Sequence, residues 1–219
     1  MSSRNRSSLN KPKKQKTTSP YAFVVEGDTE YDYIFYVLQF KNCKNLKNAQ
    51  GHGNLQKAVD EMLTQARRYD KVFVVFDMDT LEDSKVRNKM ETLFKNYTIT
   101  VPIPTAPNFD WLVAWNANPS RKPSDDSNAI KKQICHFGNL PQQFSEGTNY
   151  KTAIEDHPPF QKLLQNNLEV FITKLQNYER YLTEKEEAMN PTCLQSRKSN
   201  TPNSAMGAVF EILQEETIC

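Results

Sequence analysis

Glu26 closes an apolar run, AFVVEGDTE at 22–30, and Gly27 follows it at once. Asp77 and Asp79 close a second such run, KVFVVFDMD at 71–79. In a doubly wound sheet the carboxyl ends of the strands border the crevice in which ligands sit. Asp79 lies two residues beyond Asp77, and an extended backbone would turn both side chains the same way. Glu26, Asp77 and Asp79 are therefore expected to converge on one crevice. Left alone they would repel one another and raise each other's pKa. A divalent cation removes that cost, and all-oxygen donors suit Mg2+ or Mn2+. Glu30, one helical turn beyond Glu26, is a candidate further ligand; the alternative is an exposed first-turn acid that favours the helix dipole. The competing account of the whole set is unrelated strand ends, turns and caps, because a lone DxD also occurs in such places.

The elements that must position these acids follow from periodicity. A strand is expected at 21–26, then a helix with Tyr31, Ile34, Phe35 and Leu38 on one face. A short strand near 43–49 leads to GHGN at 51–54, where Asn54 suits a helix N-cap. Leu55, Val59, Met62, Leu63 and Ala66 mark an amphipathic helix. The apolar strand at 71–79 precedes a helix at about 82–95. YTITVPI at 97–103 reads as a strand that Pro102 pushes to an edge or an end. Fully apolar strands alternating with amphipathic helices give a parallel sheet covered on both faces, so residues 21–107 are expected to be α/β. The second half, 108–219, reads as mostly helical and packed on that core. NFDWLVAWN at 108–116 is a helix, an irregular stretch covers 116–128, and HPPF at 157–160 opens a helical run to about 189. Pro158 and Pro159 suit its first turn. A loop at 196–204 and a last helix at about 204–216 complete the pattern, and no internal repeat is present.

A chain of 219 residues can hold one well-packed domain with an appendage. No apolar run approaches the roughly 20 residues that cross a bilayer, and no hydrophobic segment follows Met1, so no membrane role and a cytoplasmic location are expected. Cys43, Cys135, Cys193 and Cys219 are scattered without a CxxC, which favours free thiols over a zinc site, and Cys219 does not make a prenylation box. Residues 1–20 carry six Lys/Arg and no acid, whereas the other 199 hold 22 Lys/Arg against 26 Asp/Glu, a net of −4. The basic, Ser-rich segment is read as a disordered arm, either a nonspecific phosphate contact or a solubilising tail.

Glu26-Gly27 together with FDMD resembles the Toprim signature, an acid and a glycine after the first strand and a DxD after a later one. Further boxes narrow the likeness to the RloB-like family, a Toprim-type family found beside restriction and phage-defence genes. EGDTEYDYI is similar to its opening box and GHGNLQKAV to its lead into the second helix. PNFDWLVAWN resembles its Asn-Pro-x-Phe-Glu-x-Trp-Leu box, with Asp110 where Glu is usual. NYKTAI resembles its Tyr-Lys element, and TPNSAMGAVFEIL its closing segment. The likeness touches most of residues 21–216 through short boxes. It implies a Toprim-like fold and Mg2+- or Mn2+-dependent phosphodiester hydrolysis. Glu26 would be general base or metal ligand, Asp77 and Asp79 metal ligands, and Lys151 a point charge on the phosphate; a solvated lysine is the plain alternative. It also implies a nuclease acting on DNA or RNA, tRNA included, as effector of an anti-phage system, with an ABC- or SMC-type ATPase as controlling partner.

The remaining candidates are weaker. His52 between two glycines reads as a turn residue, and His136 and His157 as structural. Trp111 and Trp115, at helical spacing, belong to a core rather than a base-stacking platform. No GxxxxGK[ST] occurs, so the chain has no P-loop. Two other functions stay open. One is a noncatalytic Toprim-like subunit that binds nucleic acid or the ATPase. The other is a phosphotransfer or phosphatase fold with an Asp nucleophile, for which the strand ending Pro-Ile-Pro-Thr offers Thr105.

Overall fold

Val, Phe and Ala fill the first two apolar runs, and side chains of this kind suit strands buried on both faces. A computed structural model describes residues 21–40, 43–64, 69–106, 108–124, 126–145, 149–176 and 203–204. The first run forms β1 (Tyr21–Val25) and the second β3 (Lys71–Asp77), with β2 (Leu46–Asn48) and β4 (Thr100–Ala106) outside them. The order is β2-β1-β3-β4, all parallel, with the two-residue β5 (Asn203–Ser204) antiparallel beyond β4. The chain is thus α/β around a four-stranded parallel sheet flanked by helices. β5 pairs only with Thr105 and Ala106, so the part of β4 that holds Pro102 lies at the edge, where a missing N–H is harmless.

Alternation along the strands divides the core in two. Ala22 and Val24 of β1 and Val72, Val74 and Phe76 of β3 pack with α2 (Leu55–Thr64) and α3 (Ser84–Asn96). Phe23, Val25, Phe73 and Val75 face the other way, toward α4 (Phe109–Ala117), α5 (Ser127–Phe137) and α8 (Pro158–Gln176). Residues before and after 107 thus share this second layer. Trp111 and Trp115 lie in it, edge to face at 5.0 Å, with Phe171 of α8 against Trp115. The layer also holds the short α6 (Gln142–Ser145), through Phe144, and α7 (Ala153–Asp156).

Three expectations need correction. The helix after β1 is α1 (Asp28–Asp32), which widens into a π-turn at Tyr33–Val37, with Leu38 N–H donating to the Tyr33 carbonyl at 3.0 Å. That wider turn rotates the face inward, so Tyr33, Ile34 and Val37 are fully buried while Tyr31, Phe35 and Leu38 are only partly so. The strand expected to run to Asp79 stops at Asp77, and Met78–Leu81 coil into a 3-10 turn. Between 126 and 156, where the sequence reading assigns no element past the irregular stretch to 128, lie α5, α6 and α7; Asp126 caps α5 by accepting from Ala129 N–H at 2.7 Å. Asn203 and Ser204, read as loop and helix start, form β5. The basic arm at 1–20, the helical run past 176 and the last helix lie outside the described residues. No helix among the described residues is long and apolar enough to cross a membrane.

Candidate active site

Parallel strands all end on one side, so β1 and β3 deliver their last residues to the same rim. Strict alternation would set Glu26 on the Ala22–Val24 face and Asp77 on the Phe73–Val75 face. The two meet because the chain leaves the sheet there, and both line one open pocket of about 650 Å3. The Glu26 carboxylate reaches across the end of β3, where its Oε2 accepts Asp77 N–H at 3.1 Å and the Thr80 hydroxyl at 2.8 Å. The turn at 50–51 closes over Glu26 from β2. Gln50 and Gly51 take positive φ (57° and 109°), and Gly51 N–H donates to the Glu26 carbonyl at 2.8 Å. A glycine suits φ 109°, which few side chains tolerate.

Both hydrogen bonds to the Asp77 carboxylate fall on Oδ1: the Thr105 hydroxyl at 2.8 Å from the end of β4, and Phe109 N–H at 2.7 Å from the first turn of α4. A carboxylate facing a helix N-terminus is favoured by the dipole. Even so, burial, with repulsion from Glu30 and Glu26 behind it, pushes Asp77 well above the usual carboxylate range. Gly27 has an extended backbone (φ −143°), so its role is space rather than turning. A Cβ there would stand 3.1 Å from Glu30 Oε2. The bare backbone lets the Glu30 side chain fold back over the helix start.

Glu30 is accordingly 6% exposed, not the surface acid that the helix-dipole alternative described. Burial chiefly, then repulsion from Glu26 and Asp110, raises it to about 7, with Lys151 pulling the other way. Asp110 is 6% exposed and accepts the Tyr150 hydroxyl at 2.5 Å. Tyr150 and Lys151 share the 3-10 turn Asn149–Thr152, so NYKT sets a buried donor on Asp110 and an exposed amine at the pocket.

The structure thus brings together Glu26, Glu30, Asp77, Asp110 and Lys151. It does not bring Asp79 into the pocket. The 3-10 turn buries Met78 and leaves Asp79 exposed on the outside, where its charge adds little to the rise at Asp77. The shared direction expected of the DxD required an extended backbone that ends one residue too early. His136 is exposed and His157 lies beside the Phe144 ring at 5.5 Å, both away from the pocket. Thr80 and Tyr150 were not singled out by sequence. The signal for Tyr150 was its place beside Lys151; for Thr80 there was none until the turn after β3 was known.

Among the described residues no three Asp, Glu, His or Cys side chains are bunched tightly enough to cage a metal as they stand. The donor set nevertheless fits a hard divalent cation. It is all oxygen, it is partly desolvated, and two of its members carry raised pKa values that a nearby positive charge would reverse. No protein-family model, curated protein sequence or solved structure matches the chain.

Proposed function

We propose that this pocket is the active site of a metal-dependent, Toprim-like nuclease that hydrolyses phosphodiesters in DNA or RNA. The observation that carries the reading is the convergence of Glu26, Glu30, Asp77 and Asp110 at the carboxyl ends of a parallel sheet, two of them held back from ionising by burial and by one another. Such crowding is unfavourable in a merely structural site, and a divalent cation relieves it.

Glu26, Asp77 and Glu30 would hold Mg2+ or Mn2+. When bound, the cation supplies neutralisation of the phosphate and an acidified water. Glu26 is fixed through Oε2 by Asp77 N–H and Thr80, an anchoring that suits either a general base or a metal ligand. Thr105 and Phe109 N–H fix Asp77 in the same manner. Tyr150 holds Asp110, whose charge acts on Glu30. Lys151 provides the positive side chain among the described pocket residues, placed to meet a phosphate oxygen. Likeness to the RloB-like family extends the proposal to a defence effector restrained or released by an ABC- or SMC-type ATPase. Phosphotransfer from an Asp nucleophile is disfavoured, because Asp77 Oδ1 is tied down by two donors.

The test is cleavage of DNA and RNA by the protein, alone and with a neighbouring ATPase, in Mg2+, Mn2+ or EDTA. Activity is expected with either metal and lost in EDTA and in Glu26→Ala. Cleavage that survives both would overturn the reading. Protection from phage that persists in Glu26→Ala and Asp77→Ala cells would instead favour the noncatalytic subunit.

A further inference from the structure

The turn that closes over Glu26 has another side, and a smaller cavity of about 220 Å3 lies against it. Asn48 and Gln50 line both cavities, so the turn at 48–51 is the crest between them. Hydrogen bonds fix that crest from both sides. Asn48 Nδ2 donates to Asp28 in the acidic pocket at 2.6 Å, while Asn48 Oδ1 accepts Gln50 N–H at 2.7 Å. Asn54, which lines the smaller cavity, donates through Nδ2 to the Gln50 carbonyl at 3.3 Å. Gln50 itself takes φ 57°, a conformation in which a glycine would cost less, so its exposed amide stands on the crest against a strain.

The two cavities differ in charge. Among the described residues the first is lined by Glu26, Asp28, Glu30, Asp32, Asp77 and Glu155 against Lys151, the second by Lys47 and Lys57 against Glu61. Lys47 lies on the edge strand β2, where a lysine commonly guards against stray pairing. A guard would extend into water. Lys47 is instead only 28% exposed and bends onto Glu61 of α2, and Lys57 reaches the same carboxylate at 3.9 Å. A lysine ahead of a glutamate at i,i+4 is the weaker order for a helix, and exposed ion pairs contribute only about 0–1 kcal/mol, so stability alone is a poor reason for the cluster. Lys47 foremost, and Lys57 after it, hold Glu61 below the usual carboxylate range. One carboxylate cannot neutralise two ammonium groups, and the cavity keeps a positive charge beside the acidic pocket. We propose that this cavity binds the phosphate next to the scissile one, so that a nucleic-acid strand crosses the 48–51 crest from the acidic pocket onto Lys47 and Lys57. Which phosphate is scissile rests on the nuclease reading; the anion site beside it rests on the two lysines and the cavity. An ammonium group has three donors, so Lys47 meets a phosphate oxygen without leaving Glu61. The substrate class is then a chain with consecutive phosphates rather than an isolated diester.

Short labelled strands of DNA and RNA in Ca2+, read by fluorescence anisotropy on the full chain, test this without cleavage. A dinucleotide carries one phosphate linkage and a trinucleotide two. The trinucleotide is expected to bind about tenfold more tightly, the yield of one charge-assisted phosphate contact. Lys57 is 78% exposed, so Lys57→Ala spares the fold and should shrink that gain; Lys47→Ala together with it should abolish the gain. The dinucleotide should bind every variant alike. Glu61→Gln removes the competing acid and should widen the gain. Equal affinity for the two lengths in the unaltered protein, a gain that survives the double lysine variant, or a gain lost in Glu61→Gln would overturn the proposal. So would an equal loss for both lengths in the lysine variants, since the lysines would then act only as a field on the first pocket. A lysine-dependent gain without cleavage in Mg2+ or Mn2+ would leave the anion site standing and end the nuclease reading. Cleavage with a lysine-independent gain would do the reverse.

Discussion

The Glu30 carboxylate folds back over Gly27, is 6% exposed and faces Glu26 and Asp110, so it keeps its proton to about pH 7. In the unfolded chain the same group ionises near 4.5. Between those values the unfolded state releases the proton more readily, so stability is greatest below 4.5 and falls as pH rises toward 7. The loss for Glu30 is on the order of 3 kcal/mol if the shift is taken whole. Asp32, raised to about 7 by burial and by Glu155, adds to it in the same direction. Metal-free protein is therefore expected to melt higher at pH 5 than at pH 8, and Glu30→Gln should remove part of that difference. Added Mg2+ should raise the melting temperature more at pH 8, where the carboxylates are ionised, than at pH 5. A melting temperature indifferent to both pH and Mg2+ would contradict the buried acid cluster. Asp77 and Asp79 make a second contrast at this scale. One lines the pocket and is held by two donors; the other is exposed beyond the turn. Asp77→Ala should lower cleavage at least about 100-fold, whereas Asp79→Ala should stay within about threefold of the unaltered enzyme, when initial rates are compared.

At the scale of elements, α4 is held at both ends by groups outside it. Its first turn donates Phe109 N–H to Asp77 Oδ1 at 2.7 Å. Its last turn is capped by α8, where Asn167 Nδ2 donates to the Asn116 and Ala117 carbonyls at 3.0 and 3.1 Å. Helix ends leave carbonyls unpaired, and a side-chain amide is one way to satisfy them. Asn167→Ala should cost about 1–2 kcal/mol in denaturant melts, because two partly buried carbonyls lose a donor together. A loss near zero would mean that water replaces the amide and that α8 does not tie down α4. The π-turn at Tyr33–Val37 acts on this scale as well. It sets Tyr33 inward, where its hydroxyl accepts Asn116 Nδ2 at 2.8 Å, and so links the helix that carries Glu30 to the helix that carries Asp110. A regular 3.6-residue period cannot anticipate that rotation, which is why the face read from Tyr31, Ile34, Phe35 and Leu38 is displaced from the buried one.

Across the whole molecule, the parts written in runs of one residue class were legible and the parts that depend on a turn were not. FVV in β1 and VFVVF in β3 announce strands buried on both faces, and their alternation with amphipathic helices announces the parallel sheet. Glu26 and Asp77 follow from the same runs, because strand ends in such a sheet open onto one side. Asp79 does not, since a single 3-10 turn after Asp77 redirects it. Asp32 carried a signal that went unused: EGDTEYD places Asp28 and Asp32, like Glu26 and Glu30, at four-residue spacing. The resulting pocket faces six acids against Lys151 among the described residues, an arrangement that should repel a polyanion outright. Binding of a short DNA or RNA strand, read by fluorescence anisotropy in Ca2+ to limit cleavage, should therefore be weak in EDTA and rise at least about tenfold with the cation. Ordinary phosphate contacts weaken steadily as any salt is added, because counterions are released. A divalent-specific rise at constant ionic strength is the opposite response, and it isolates the pocket from basic segments elsewhere in the chain. Lys151→Ala should lower the Ca2+-dependent part severalfold and leave the binding in EDTA unchanged. Equal affinity in EDTA and Ca2+ would mean that the strand binds away from the acidic pocket, and that the acids serve some other ligand.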